Sequence, residues 1–127
     1  MPNKVRASPL SHAPILVHPP ELVSSSYELG KLIITLEDLR DSVLISFSFV
    51  DVEAHRIMGE GRLLAYWPEC STPNGSIFEI HSGGWLDELR RDIDAPLWAD
   101  KNLREFLVPG IDDCASVIGF SAPEIIA

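Results

Sequence analysis

Only two cysteines and four histidines occur in this sequence of 127 residues, and its ten lysines and arginines face nineteen acids. Each shortage removes a class of chemistry. Cys70 and Cys114 are too few and too far apart for the dense spacing of a disulfide framework, so reduced thiols are expected. Cys114 sits in an apolar stretch and reads as a small buried hydrophobe. Cys70, between Glu69 and Ser71 in turn-like sequence, is a candidate for exposure. None of His12, His18, His55 and His81 stands four residues from another or in a cysteine-rich setting, which leaves no zinc-ligand set at familiar spacing. A meeting of His55 and His81 across strands, with Cys70 or Glu79, would make a site. The simpler reading is two strand histidines on a solvated or partly packed face.

Other motifs are missing too. There is no G-x-G-x-x-G, no Walker loop and no G-x-S-x-G elbow, and the Gly59-Glu60-Gly61 fragment lacks the remainder of a dinucleotide motif. Adjacent acids at Glu37-Asp38, Asp87-Glu88 and Asp112-Asp113 diverge on a strand and share no face on a helix, so none forms an obvious acid–base couple. The basic residues are scattered, with only Arg90-Arg91 adjacent, and make no stripe that could track a phosphate backbone. No apolar run approaches the roughly twenty residues that cross a bilayer. Pro9, Pro14, Pro19 and Pro20 interrupt any leader-like segment at the amino terminus. These features predict a soluble, cytoplasmic protein without catalytic, cofactor-binding or metal-binding residues, and without direct nucleic-acid or membrane binding.

What the sequence has is negative charge. The formal net charge is -9, and because Lys4 and Arg6 lie in the acid-free first twenty residues, residues 21–127 hold 19 acids against 8 bases. Such a surplus favours basic partners. Hydrophobic residues make up 46% of the chain, enough for one core without staples or metals.

Pattern along the chain predicts an α+β fold, mainly an antiparallel β-sheet with short helices packed against it. Residues 1–28 are Pro- and Ser-rich and read as an arm, loosely or peripherally attached, or as an extended segment lying along the domain; residues 15–17 could dock as an edge strand or serve as plain linker. Residues 29–127 read as a single α+β domain. Strands are expected over residues 31–36 and 43–50, the second with Ile45, Phe47 and Phe49 on one side and Ser46 and Ser48 on the other. Residues 52–57 are expected to pair back beside it. A short helix with Leu63, Leu64 and Trp67 on one face should end at Pro68. A turn follows at Asn74-Gly75, then a strand at 76–81. An amphipathic helix is expected at 85–91, with Trp85, Leu86 and Leu89 inward. Residues 92–102 read as a loop anchored by Leu97 and Trp98. Residues 103–108 and 114–120 read as a hairpin. A short hydrophobic tail follows Pro123.

Tryptophan is enriched in interface cores, and carboxylates around it can capture a partner's Lys or Arg. Trp67 with Glu69, and Trp85 with Asp87 and Glu88, extending to Asp92, are therefore the candidate partner-binding residues. Filling gaps between helix and sheet is the competing role for each Trp. Trp98 reads as structural.

Residues 59–67 (GEGRLLAYW), the turn to Gly75, residues 76–80 (SIFEI) leading to 84–86 (GWL), residues 107–118 (LVPGIDDCASVI) and residues 123–125 (PEI) carry a family likeness. The stretch 43–125 resembles the immunity proteins of contact-dependent growth inhibition and related bacterial polymorphic-toxin systems. The resemblance implies an α+β antitoxin that binds the carboxy-terminal domain of one cognate toxin and blocks it without catalysis. It also implies that the toxin is a nuclease, a basic ribonuclease foremost, for which an acidic protein is a suitable plug. Two other functions compete. One is a small hydrolase using Cys70 or His81; the other is an acidic chaperone or adaptor for a basic protein.

Overall fold

The computed structural model describes residues 4–16, 18–38, 40–71, 74–91 and 95–126, without the side chains of residues 62 and 95. Among the described residues nine strands run as β1 (Arg6–Pro9), β2 (Glu21–Glu28), β3 (Lys31–Asp38), β4 (Val43–Phe49), β5 (Ala54–Gly59), β6 (Phe78–Ser82), β7 (Arg104–Val108), β8 (Asp113–Gly119) and β9 (Glu124–Ile126). Two short helices, α1 (Trp67–Cys70) and α2 (Trp85–Arg90), are joined by single 3-10 turns at Glu60–Arg62, Leu64–Tyr66 and Ala95–Trp98. The strands form two antiparallel sheets, one ordered β1-β6-β7-β8-β5 and the other β2-β3-β4-β9. This is the mainly antiparallel α+β class the sequence predicts.

Alternation explains how the sheets stack. In β3 and β4, Leu32, Ile34, Leu36, Ile45, Phe47 and Phe49 are buried, while the intervening residues point to the other face and, Ser48 apart, are at least partly exposed. They pack on Phe106 and Val108 of β7 and on Ala115 and Val117 of β8. The Phe49 and Phe106 rings meet between the sheets at 5.7 Å, tilted by 53°. Each such side chain stabilises the fold by about 1.5–3 kcal/mol through burial alone. The opposite face of β7 and β8 is also covered. Leu107 and Cys114 pack with Leu63, Tyr66 and Cys70, and Ile118 packs with Leu86 and Leu103. The five-stranded sheet is thus a middle layer between the four-stranded sheet and the helices.

Several expectations require correction. The described part of residues 1–28 is attached at the periphery rather than loosely: β1 and β2 are edge strands paired with β6 and β3, and Val5, Ala13 and Leu16 are buried. Ile15 is exposed rather than part of an edge strand, and Val17 lies outside the described residues. The 52–57 stretch does not pair with β4, whose two edges are taken by β3 and β9. Instead Asp51, in a left-handed conformation at φ 52°, redirects the chain, and β5 pairs with β8. Pro68 does not end a helix; it lies in the first turn of α1, where a missing N–H breaks no hydrogen bond. Leu63 and Tyr66 face inward there, whereas Leu64 is exposed. Leu97 is exposed as well, leaving Trp98 to anchor its loop. The tail after Pro123 is an ordered edge strand.

Candidate partner-binding surface

The partner-binding residues expected from sequence lie on the helical layer. Trp67 and Glu69 belong to α1, and Trp85, Asp87 and Glu88 belong to α2; Asp92 lies outside the described residues. Trp67 is half-buried, its indole N–H donating to the Glu60 carbonyl at 3.1 Å. It borders an open, mainly apolar cleft of about 440 Å³ with Pro19, Pro109 and Ile111. Trp85 is half-buried, and the Arg56 guanidinium lies 4.5 Å from its ring centroid. The Asp87 carboxylate accepts the Gly83 N–H at 2.7 Å, closing the first turn of α2. Glu88 is exposed and Glu69 half-buried, and neither has an ion-pair partner among the described residues. Nearby, Arg90 is tied to the carbonyls of Trp98 and Asp100 at 2.8 Å each. The helical layer therefore carries charge of both signs.

Beneath it lies a polar centre that sequence reasoning missed. Glu105 is 1% exposed. Its carboxylate accepts the Tyr66 hydroxyl at 3.1 Å and the backbone N–H groups of Trp85 at 3.2 Å and Leu86 at 2.8 Å. Burial pushes this carboxyl above the ordinary carboxylate range, opposed by those three donors and by the Arg56 charge. Burial and the Glu105 charge likewise push the Tyr66 hydroxyl up. The signal was available as an acid directly ahead of the apolar Phe106-Leu107-Val108 of β7. Its connections make it a structural bolt joining both helical segments to the sheet. A second cleft of about 280 Å³, lined by His81, Asp87, Arg90, Lys101 and Arg104 among others, opens beside it.

The alternative catalytic pair fares poorly in this geometry. Cys70 is fully buried, not exposed, and burial with the nearby Glu69 and Glu105 charges pushes its thiol up to about 12. No thiolate is available from it near neutral pH. His81 is exposed on β6 and hydrogen-bonds Ser8 Oγ at 2.7 Å. His55 lies on β5, separated from β6 by β7 and β8, and stacks on Tyr27 at 5.1 Å. The two histidines do not meet.

Among the described residues, one cluster offers metal-like donors: His18, Asp38 and Asp41. His18 Nδ1 lies 3.5 Å from Asp38 Oδ2 and 3.8 Å from Asp41 Oδ2. The Arg40 guanidinium donates to His18 Nε2 at 3.1 Å, which places the imidazole proton on Nδ1, toward the carboxylates.

The other acids are little neutralised from within. Among the described residues, the one ion pair between a carboxylate and a Lys or Arg is Glu79–Arg104, at 2.7 Å. The Arg104 hydrogen bonds hold the Glu79 carboxyl below the ordinary carboxylate range. Among the described residues, no helix is long and apolar enough to cross a membrane. No protein-family model, curated protein or solved structure matches the chain.

Proposed function

We propose that this protein is a non-catalytic immunity protein that binds a basic, RNA-cleaving toxin domain and neutralises it by direct contact. One observation carries the reading. Nineteen acids face ten bases, and among the described residues a single Lys/Arg–carboxylate ion pair forms internally. The surplus negative potential is directed at solvent, where it complements an enzyme whose cleft must attract RNA. The family likeness over residues 43–125 supports the same reading. The partner acts in the cytoplasm, and this chain meets it there.

The test is reconstitution with the toxin domain encoded beside this protein. A stoichiometric complex and loss of RNA cleavage are the expected results. No complex, or a complex that still cleaves RNA, overturns the proposal. Equally tight binding to several unrelated basic proteins would point to an adaptor, since an immunity protein discriminates through opposed charge and shape.

A further inference from the structure

Among the described residues, no layer covers the outer face of the four-stranded sheet, although Ser48 on it is only 8% exposed. None of its outward residues belongs to any of the three apolar clusters. Register defines that face as transverse rows. One row runs Ser24, Thr35, Ser46, Ile126, and the next runs Ser26, Ile33, Ser48, Glu124. Short hydroxyl side chains make its centre low, and the Thr35 and Ser46 hydroxyls bond to each other at 2.8 Å. Leu44 and Ile126, 53% and 52% exposed, are apolar points on it.

Its charge is one-sided. Glu21 and Glu37 are direct cross-strand partners, with Leu44 next to Glu37 on β4. Like charges so placed destabilise a sheet. Neither has a salt-bridge partner among the described residues. At the other end Glu28 opposes Lys31, so that charge is locally balanced. The hairpin joining them has Leu29 and Gly30 both at positive φ, 49° and 81°, and Leu29 is 96% exposed. An exposed leucine in a left-handed conformation is unfavourable on both counts.

We infer that this open sheet face docks the basic partner, with a lysine or arginine of that partner received between Glu21 and Glu37 and with Leu44 and Leu29 as apolar contacts. The inference rests on the immunity reading for the partner's identity, but not for the location of the surface. A Lys or Arg at the Glu21–Glu37 pair relieves a repulsion that the free chain carries, so part of the binding energy is stored in the sheet itself. A second copy is disfavoured, because two such faces would oppose acids to acids. Nucleic acid is repelled for the same reason. Size matters as well. At about 4.8 Å between strands and 3.3 Å per residue, the face spans roughly 15 by 25 Å. That is about half the ~800 Å² per partner of a standard interface. The hairpin tip at Leu29 and the exposed turn at Asp41 and Ser42 supply the remainder.

Two measurements test this. The first uses decalysine as probe at low ionic strength, with amide chemical shifts followed by NMR. Shifts concentrated on β2, β3 and β4, and lost in Glu21→Gln/Glu37→Gln, are expected. Shifts centred on α2 or on the Trp67 cleft overturn the placement, whether or not any toxin binds. The second titrates the adjacent-encoded toxin domain calorimetrically. Glu21→Lys/Glu37→Lys should weaken binding by about tenfold or more, while Glu69→Lys/Glu88→Lys, on the rival helical layer, changes it less than threefold. The reverse order overturns the surface. Absence of binding by the wild-type chain overturns the immunity reading instead, and the decalysine result alone then decides the surface. Because the Gln pair removes repulsion, it is expected to fold even if the Lys pair does not.

Discussion

The Tyr66 hydroxyl donates to the buried Glu105 carboxylate, and the same carboxylate receives the first two N–H groups of α2. One side chain thus holds two helical segments to the middle sheet. Tyr66→Phe leaves part of that carboxylate unsatisfied and is expected to lower unfolding free energy by about 1–3 kcal/mol. Gly84→Ala should do comparable damage, since a Cβ there would lie 2.8 Å from Glu105 Oε1 and 2.7 Å from Ile80 Cγ2. Urea denaturation of both variants measures it, and wild-type midpoints would show the bolt to be unimportant.

The pH dependence of this site has a definite sign. Burial raises the folded-state pKa of Glu105 above its unfolded value. Its contribution is therefore fully present below the unfolded pKa of about 4.3 and declines as pH rises through the folded value. Relative to wild type, Glu105→Gln should gain stability progressively as pH rises above about 4.3. Denaturation curves at a series of pH values check this; a constant difference would mean that the carboxyl is not raised.

Leu29→Asn should stabilise the chain. Asparagine tolerates the left-handed conformation, and Asn-Gly is the favoured pair for a two-residue hairpin with both φ values positive. The expected gain is about 1 kcal/mol, or a rise of roughly 4 °C in Tm. Calorimetric melting decides the point. If the docking inference holds, the same variant binds the basic partner more weakly, opposing stability to function at one residue.

Cys70 and Cys114 are both buried free thiols, and burial is the largest influence raising each thiol's pKa. At pH 8 neither should react with an aromatic disulfide reagent faster than the fold opens. Both should react promptly in urea. Fast modification of native Cys70 would revive the catalytic alternative.

Association with the toxin domain should slow markedly between low and physiological ionic strength, while dissociation changes less, because long-range charge acts mainly on encounter. Stopped-flow rates at several salt concentrations test this. A flat association rate would assign the acidity to solubility.

Local pattern announced much of the fold. The Ile45, Phe47, Phe49 alternation, the helix carrying Leu86 and Leu89, and the hairpin of β7 and β8 depend on neighbours in sequence, and they were legible. Sheet membership was not. Whether β5 joins β4 or β8 depends on β9 having taken the open edge of β4, a contact from the far end of the chain. β2 was hidden for another reason. Its sequence, ELVSSSYE, is an edge strand exposed along most of its length, so its conformation comes from backbone pairing rather than burial. The candidate surface was legible as acids beside tryptophans, without its geometry. Sequence identified the acids beside Trp67 and Trp85, but not that Asp87 closes a helix turn or that Glu21 and Glu37 stand opposite each other.

The pairing of β1 with β6 joins residues such as Ser8 and His81, 73 positions apart. Contacts of that span demand closure of a long loop before they return any stability, so they form late and slow the folding of the whole chain. Until β1 arrives, the outer edge of β6 is a row of unpaired amides and carbonyls beside the buried Phe78 and Ile80. A newly made copy is then at its most adhesive toward others of its kind. The high net charge that suits a basic partner also keeps such half-folded copies apart during that interval.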